Sequence, residues 1–183
     1  PTWLAKHFGA GGEGLVSRAR GIDHAPVRAG GRDQKQISRE VTFMADVTEV
    51  AELKRVLQRL GERVGTDLRA HGKRARTVTL KLRWLDFTTL SRSRTLDRPF
   101  QASHVIVETA HVLLDETVRA EGFHPVRLIG VGVTNLVEDV MQLGLDDLVA
   151  ADATPEVLRD ERLDHVLDGL RTRFGDRSVR RGV

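Results

Sequence analysis

The sequence has no cysteine and no tyrosine among its 183 residues, and aromatic side chains make up only 4% of it. Without cysteine there are no disulfides, thiolate zinc sites, iron–sulfur clusters or cysteine nucleophiles. The same absence fits a reducing compartment, so a cytoplasmic protein is expected. No apolar run approaches the ~18 residues that a membrane-crossing helix requires. No charged segment followed by an apolar stretch and a small-residue cleavage site opens the sequence, which leads to the expectation of no secretory leader. What remains, 40% hydrophobic and 30% charged residues, suffices for one packed domain with an appendage.

The net charge of +3 is unevenly spread. Residues 48–100 carry 13 Lys and Arg against 6 Asp and Glu, whereas 101–139 carry 2 against 6 and 140–183 carry 7 against 9. A basic stretch of this kind suits a surface that faces a polyanion, although a solvated mixed-charge surface has the same composition. Of the basic residues 24 are Arg and 5 are Lys, and the planar guanidinium fork matches phosphate oxygens.

Residues 1–24 contain two short helical segments around Gly9-Ala10-Gly11-Gly12. Such a turn lets backbone N–H groups approach a phosphate, which makes Gly9 and Gly12 candidates; a plain connector is the alternative. Residues 25–36 are polar, contain Pro and Gly, and read as a linker. From residue 37 regular periods begin. A strand with Val41, Phe43 and Ala45 on one side is followed by a helix, with Thr48 placed to cap it. Val50, Leu53, Val56, Leu57, Leu60, Val64 and Leu68 form its apolar stripe, and Gly72 ends it.

Residues 76–84 alternate strictly, with Val78, Leu80, Leu82 and Trp84 against Thr77, Thr79, Lys81 and Arg83. A strand from Phe87 to about Leu96 follows so closely that the pair reads as an antiparallel hairpin. Asp97-Arg98-Pro99 is expected to end it. Ser103 is expected to cap a second helix, with the stripe Ile106, Ala110, Leu113, Leu114 and Thr117, ended by Gly122. Residues 126–137 give the last strand, with Ile129, Val131 and Val133 on one face, and a charged helix runs from Pro155 to about Arg173. The order β-α-β-β-α-β predicts an α+β fold: an antiparallel-type four-stranded sheet with two helices on one face. A short helical hairpin precedes it and a charged helical tail follows.

The helix-free face of that sheet decides the chemistry. It would present Thr77, Thr79, Lys81 and Arg83, together with either Ser91, Ser93 and Thr95 or Arg92 and Arg94, since the phase of residues 88–96 is ambiguous and a bulge would expose members of both sets. Hydroxyls, cations and backbone N–H groups are the groups that contact phosphates. Gly130 and Gly132 fall on the same phase, where missing side chains either admit a ligand backbone or let a neighbouring strand pack closely. An RNA-binding sheet of this order stacks bases on exposed aromatics. Here Trp84 falls on the buried phase, so a duplex backbone fits better than a single strand.

The run from Ala75 to Leu96 resembles Y-family DNA polymerases, with the DinB type the best match. Three further segments line up in the same order: Phe8-Gly9…Gly12 with Ala19-Arg20-Gly21-Ile22-Asp23 is similar to the end of the thumb, Lys35-Gln36-Ile37-Ser38-Arg39-Glu40-Val41-Thr42-Phe43 to the first little-finger strand, and Pro125 to Val133 to the last. Arg173-Phe174-Gly175 resembles the tail of many members. The resemblance implies a thumb end over 1–24, a linker over 25–36, a little finger over 37–139 and a tail over 140–183. It implies a part that grips duplex primer-template DNA of a translesion polymerase through phosphates, without sequence readout, and adds Ser38 and Arg39 to the candidates.

Palm and fingers, the other implied partners, would carry the acidic residues that hold Mg2+. No Asp-x-Asp-x-Phe-Phe or Ser-x-Asp-Glu motif occurs, so no catalytic residue is assigned and the chain is not expected to polymerise DNA alone. Gln142-Leu143-Gly144-Leu145-Asp146 resembles the family's sliding-clamp peptide, with Gln142, Leu143 and Leu145 as the docking residues but Asp146 in the aromatic position. A protein-interaction module whose main role is clamp docking is therefore the alternative reading. His104, Glu108 and His111 share one helical face at metal-ligand spacing, but Asp115 continues the stripe as a solvated side would, and no metal site is assigned.

Overall fold

The computed structural model describes residues 2–23, 34–138, 155–175 and 178–179. Two compact units are present, Pro1–Asp33 and Gln34–Val183. The first holds α1 (Thr2–Phe8) and α2 (Ala10–Ala19). The expected Gly-rich turn contracts to one residue: Gly9 alone separates the helices, at φ 56°, while Gly11 and Gly12 lie inside α2. The Gly12 N–H donates to the Gly9 carbonyl at 2.9 Å and is therefore used within the turn.

The second unit contains β1 (Gln36–Val47), α3 (Val50–Ala70), β2 (Lys73–Trp84), β3 (Thr89–Phe100), α4 (Ser103–Glu121), β4 (Val126–Thr134), β5 (Val137–Glu138) and α5 (Pro155–Phe174). The strands are antiparallel in the order β1-β4-β2-β3, so β4 and β2 are central. Two-residue β5 extends the start of β2 beyond the four strands expected. It is set off from β4 by Asn135 at φ 55°, a conformation that Asn tolerates better than most residues.

Strict alternation on β2 puts Val78, Leu80, Leu82 and Trp84 under α3 and α4, each at most 5% exposed. Ile129, Val131 and Val133 of β4 join them. The helices close the core with the stripes read from the sequence, Leu53, Leu57, Val64 and Leu68 on α3 and Ile106, Ala110 and Leu114 on α4. Gly65 lets the helices approach, since a Cβ there would stand 2.3 Å from the Ser103 hydroxyl.

Three expectations are corrected at the element ends. Asp97-Arg98-Pro99 does not end β3, which continues to Phe100. As an edge strand, β3 tolerates the missing Pro99 N–H. Glu49, not Thr48, occupies the N-cap position of α3, and without a side-chain cap. Ala102 holds that place on α4, so Ser103 is the first helical residue.

The cap of α4 comes instead from the C-terminal helix. Asp164 of α5 accepts the Ser103 N–H at 2.7 Å. The same carboxylate receives Arg69 at 3.2 Å, and Asp168, one turn on, receives Arg69 at 2.7 Å and the Thr66 hydroxyl at 2.9 Å. Arg69 and Asp164 side chains are 3% and 4% exposed, so both charges are satisfied inside the protein. Arg74 to Glu161 and Arg171 to Glu62 extend the clasp. Removing one partner of a buried pair strands the other charge. Asp164→Ala is thus expected to cost about 3 kcal/mol in chemical unfolding and to speed hydrogen exchange at the Ser103 amide.

Candidate nucleic-acid interface

The face of the sheet away from α3 and α4 is a grid set by the pairing register. Across β3, β2, β4 and β1 its rows read Thr89-Arg83-Leu128-Thr42, Ser91-Lys81-Gly130-Glu40, Ser93-Thr79-Gly132-Ser38 and Thr95-Thr77-Thr134-Gln36. Hydroxyls dominate, two cations lie on β2, one carboxylate lies on β1, and no aromatic ring is present in the grid. Within its own unit, α3 and α4 pack on the opposite face.

The register also resolves the ambiguous strand. Ser91, Ser93 and Thr95 sit opposite Lys81, Thr79 and Thr77 and share their face. Arg92 and Arg94 sit opposite Leu80 and Val78, on the helix side. There α4 flanks the edge strand, and Glu121 and Glu116 receive the two guanidinium groups at 2.7 and 2.6 Å. Their placement on the open face is corrected by this pairing, and no bulge occurs between Thr77 and Arg83 to bring them round.

Of the remaining candidates, Ser38, Thr79, Lys81, Arg83, Ser91 and Ser93 come together on the grid. Arg39 does not: it points to the helix side and binds Asp67 of α3 at 2.7 Å. Thr77 keeps the right phase but is 6% exposed, its hydroxyl held by Thr95 at 2.9 Å and by the Asn135 amide at 2.8 Å. Gly9 and Gly12 belong to the other unit. Gln142, Leu143 and Leu145 lie outside the described residues. Sequence reading missed Glu40 and Thr42 as members of the face, although the alternation of β1 from buried Ile37 places both there.

The cations differ in availability. Arg83 donates through Nε to the Thr89 hydroxyl at 2.9 Å and has no carboxylate partner among the described residues. Lys81 donates to Glu40 at 2.8 Å. Gly130 separates them in the register, and a Cβ there would come within 2.7 Å of the Glu40 Cβ. Beyond Arg83 the β2–β3 turn puts Phe87 at φ 68°, a residue 63% exposed, and the Arg127 guanidinium lies 4.9 Å from its ring centre.

Asp86 holds that turn by accepting the Thr88 N–H at 2.8 Å. This backbone bond favours the carboxylate and sets the Asp86 carboxyl below its ordinary 3.8. His104 and His111 are half-buried against other elements, not solvated as expected: His111 donates to the Lys54 carbonyl at 3.0 Å. Among the described residues no group of three or more His, Asp or Glu side chains converges on a metal position. No helix among them is long and apolar enough to cross a membrane.

Residues 34–145 match the impB/mucB/samB family C-terminal domain. The chain belongs to this family. Two proteins named DNA polymerase IV are similar along the sequence. That of Dehalococcoides mccartyi is 36% identical over 99% of this chain and 44% of its own length, and that of Streptococcus mutans is 36% identical over 74% of this chain and 36% of its own. The chain thus spans under half the length of the curated relatives it matches. DinB from Sulfolobus solfataricus has the same fold at TM-score 0.51 and 19% identity, over 75% of this chain and 39% of that one. An insertion ternary complex of Dbh DNA polymerase matches at TM-score 0.51 and 19% identity over 75% of this chain and 38% of that one. The sheet with its two helices lies within the segment that matches this family domain.

Because the folded Asp86 carboxyl titrates below its free value, the stabilisation is present above pH ~4 and is lost as pH falls through the folded value. A carbon-detected NMR titration is expected to place the Asp86 midpoint below 3.8, and Asp86→Asn to speed exchange of the Thr88 amide.

Proposed function

We propose that the chain is the DNA-gripping part of a translesion polymerase, holding duplex primer-template DNA by its phosphates without reading sequence. The observation that carries this reading is the grid of hydroxyls on the sheet face opposite α3 and α4, with Arg83 and Lys81 on its central strand. Hydroxyls and backbone N–H groups position a phosphate, and cations add the counterion-release term. A grid without aromatic rings offers no stacking platform, which favours duplex over single strand. The hairpin of α1 and α2 is read as the end of the thumb, and the parent's Mg2+ and nucleotidyl transfer belong to palm and fingers that would be partners of this chain. Among the described residues no carboxylate cluster fits that metal pair.

Arg83→Ala is expected to weaken duplex binding about equally for all sequences and to reduce the slope of log K against log salt by about 0.9. Strong sequence dependence of the loss, or an unchanged slope measured by fluorescence anisotropy, overturns the reading.

Gln142-Leu143-Gly144-Leu145 supports a second reading in which a sliding clamp is bound as well, two leucines filling an apolar pocket while Gln142 supplies oriented hydrogen bonds. Deleting residues 141–148 is expected to abolish clamp capture in a pull-down and to spare duplex binding; undiminished capture refutes the assignment.

A further inference from the structure

We infer that Glu40 is a built-in competitor for DNA phosphate, occupying Lys81 at the centre of the open face and holding its affinity for duplex below what the cations alone would give. The inference rests on the duplex-binding reading above and deepens it.

The geometry is unusual for a cross-strand pair. Glu40 and Lys81 are not on neighbouring strands: β4 runs between them, so their backbones stand roughly 10 Å apart. The residue between them in the row is Gly130, paired with Glu40 on one side and Lys81 on the other. With no side chain there, the two long side chains meet across β4 at 2.8 Å. Any larger residue would have to displace the Glu40 Cβ, from which an added Cβ would be 2.7 Å. The gap over Gly130 is thus filled by the protein's own carboxylate, an oxygen anion in the place a phosphate oxygen would take.

The pair is also easily opened. Its side chains are 51% and 38% exposed, and ion pairs of such exposure contribute little to stability. By contrast Arg39, Arg69, Arg74, Arg92 and Arg94 point their charges at carboxylates on the helix side, away from the grid. Within the grid Glu40 is the one anion, and it stands among the hydroxyls of Ser38, Thr79 and Ser91 that would receive the same phosphate. A carboxylate about 5 Å from an incoming phosphate in a water-like dielectric lowers binding about fourfold, and sequestering Lys81 withholds one further counterion release.

The test is equilibrium binding of a short fluorescein-labelled duplex between about 50 and 200 mM salt, with wild type, Glu40→Gln, Lys81→Ala and the double variant. Glu40→Gln keeps the shape of the side chain and is expected to bind about four- to tenfold more tightly at low salt, with a slope steeper by about 0.9. Lys81→Ala is expected to weaken binding at least threefold more in the Glu40→Gln background than in wild type, because only there is the ammonium fully available. Wild-type binding with a Glu40→Gln protein that binds equally or more weakly overturns this inference and leaves the duplex reading standing. Absence of salt-dependent binding in every variant overturns the duplex reading itself, and the inference falls with it.

Discussion

Packing of Val78, Leu80, Leu82 and Trp84 beneath α3 and α4 is what orders the opposite face of the sheet. Side chains alternate across a strand, so once these four are buried, Thr79, Lys81 and Arg83 have nowhere to go but outward. A slip of one residue would drive a lysine and an arginine into the core and is forbidden by their desolvation. The neighbouring strands inherit the same phase through the register, which is why Ser91 and Ser93 on one edge and Ser38 on the other land in line with Lys81 and Thr79. The candidate interface is thus the outward reading of an inward constraint.

The basic residues divide between two uses. On the helix side they hold elements together. Arg69 joins α3 to α5, Arg74 reaches α5, Arg39 ties β1 to α3, and Arg92 and Arg94 tie the edge strand to α4. The clasp around Arg69 matters most, because it brings the Asp164 carboxylate to the otherwise uncapped start of α4. On the open face few cations remain, and one of those is engaged by Glu40. A surface built this way favours many directional hydroxyl and backbone contacts over a strong undirected field.

Residues 34–145 belong to the impB/mucB/samB C-terminal family, and the sheet shares its fold with Sulfolobus solfataricus DinB. The relatives named DNA polymerase IV are more than twice as long as the portion matched here. The open face of the sheet carries hydroxyls, two cations and one carboxylate, and among the described residues no group of three or more His, Asp or Glu side chains converges on a metal position.

Periodicity alone determined much of this protein. The α+β order, the apolar stripes of α3 and α4 and the outward Thr79-Lys81-Arg83 row were legible because each repeats a simple period over a long element. Charge clustering was a poorer guide: of the basic residues between 48 and 100, Arg69, Arg74, Arg92 and Arg94 turn to internal carboxylates, because position along a chain does not say which face a side chain takes. The phase of β3 was announced only by Leu90 and Leu96, which share the side of Arg92 and Arg94 and pack against the core, and two leucines six residues apart are a weak signal that pairing with β2 settled. Likewise the Asp164 cap on Ser103 and the Glu40–Lys81 bridge over Gly130 join residues far apart in sequence. Local pattern sets which elements form and which way they face, whereas contacts of this kind exist only once the strands and helices have been laid side by side.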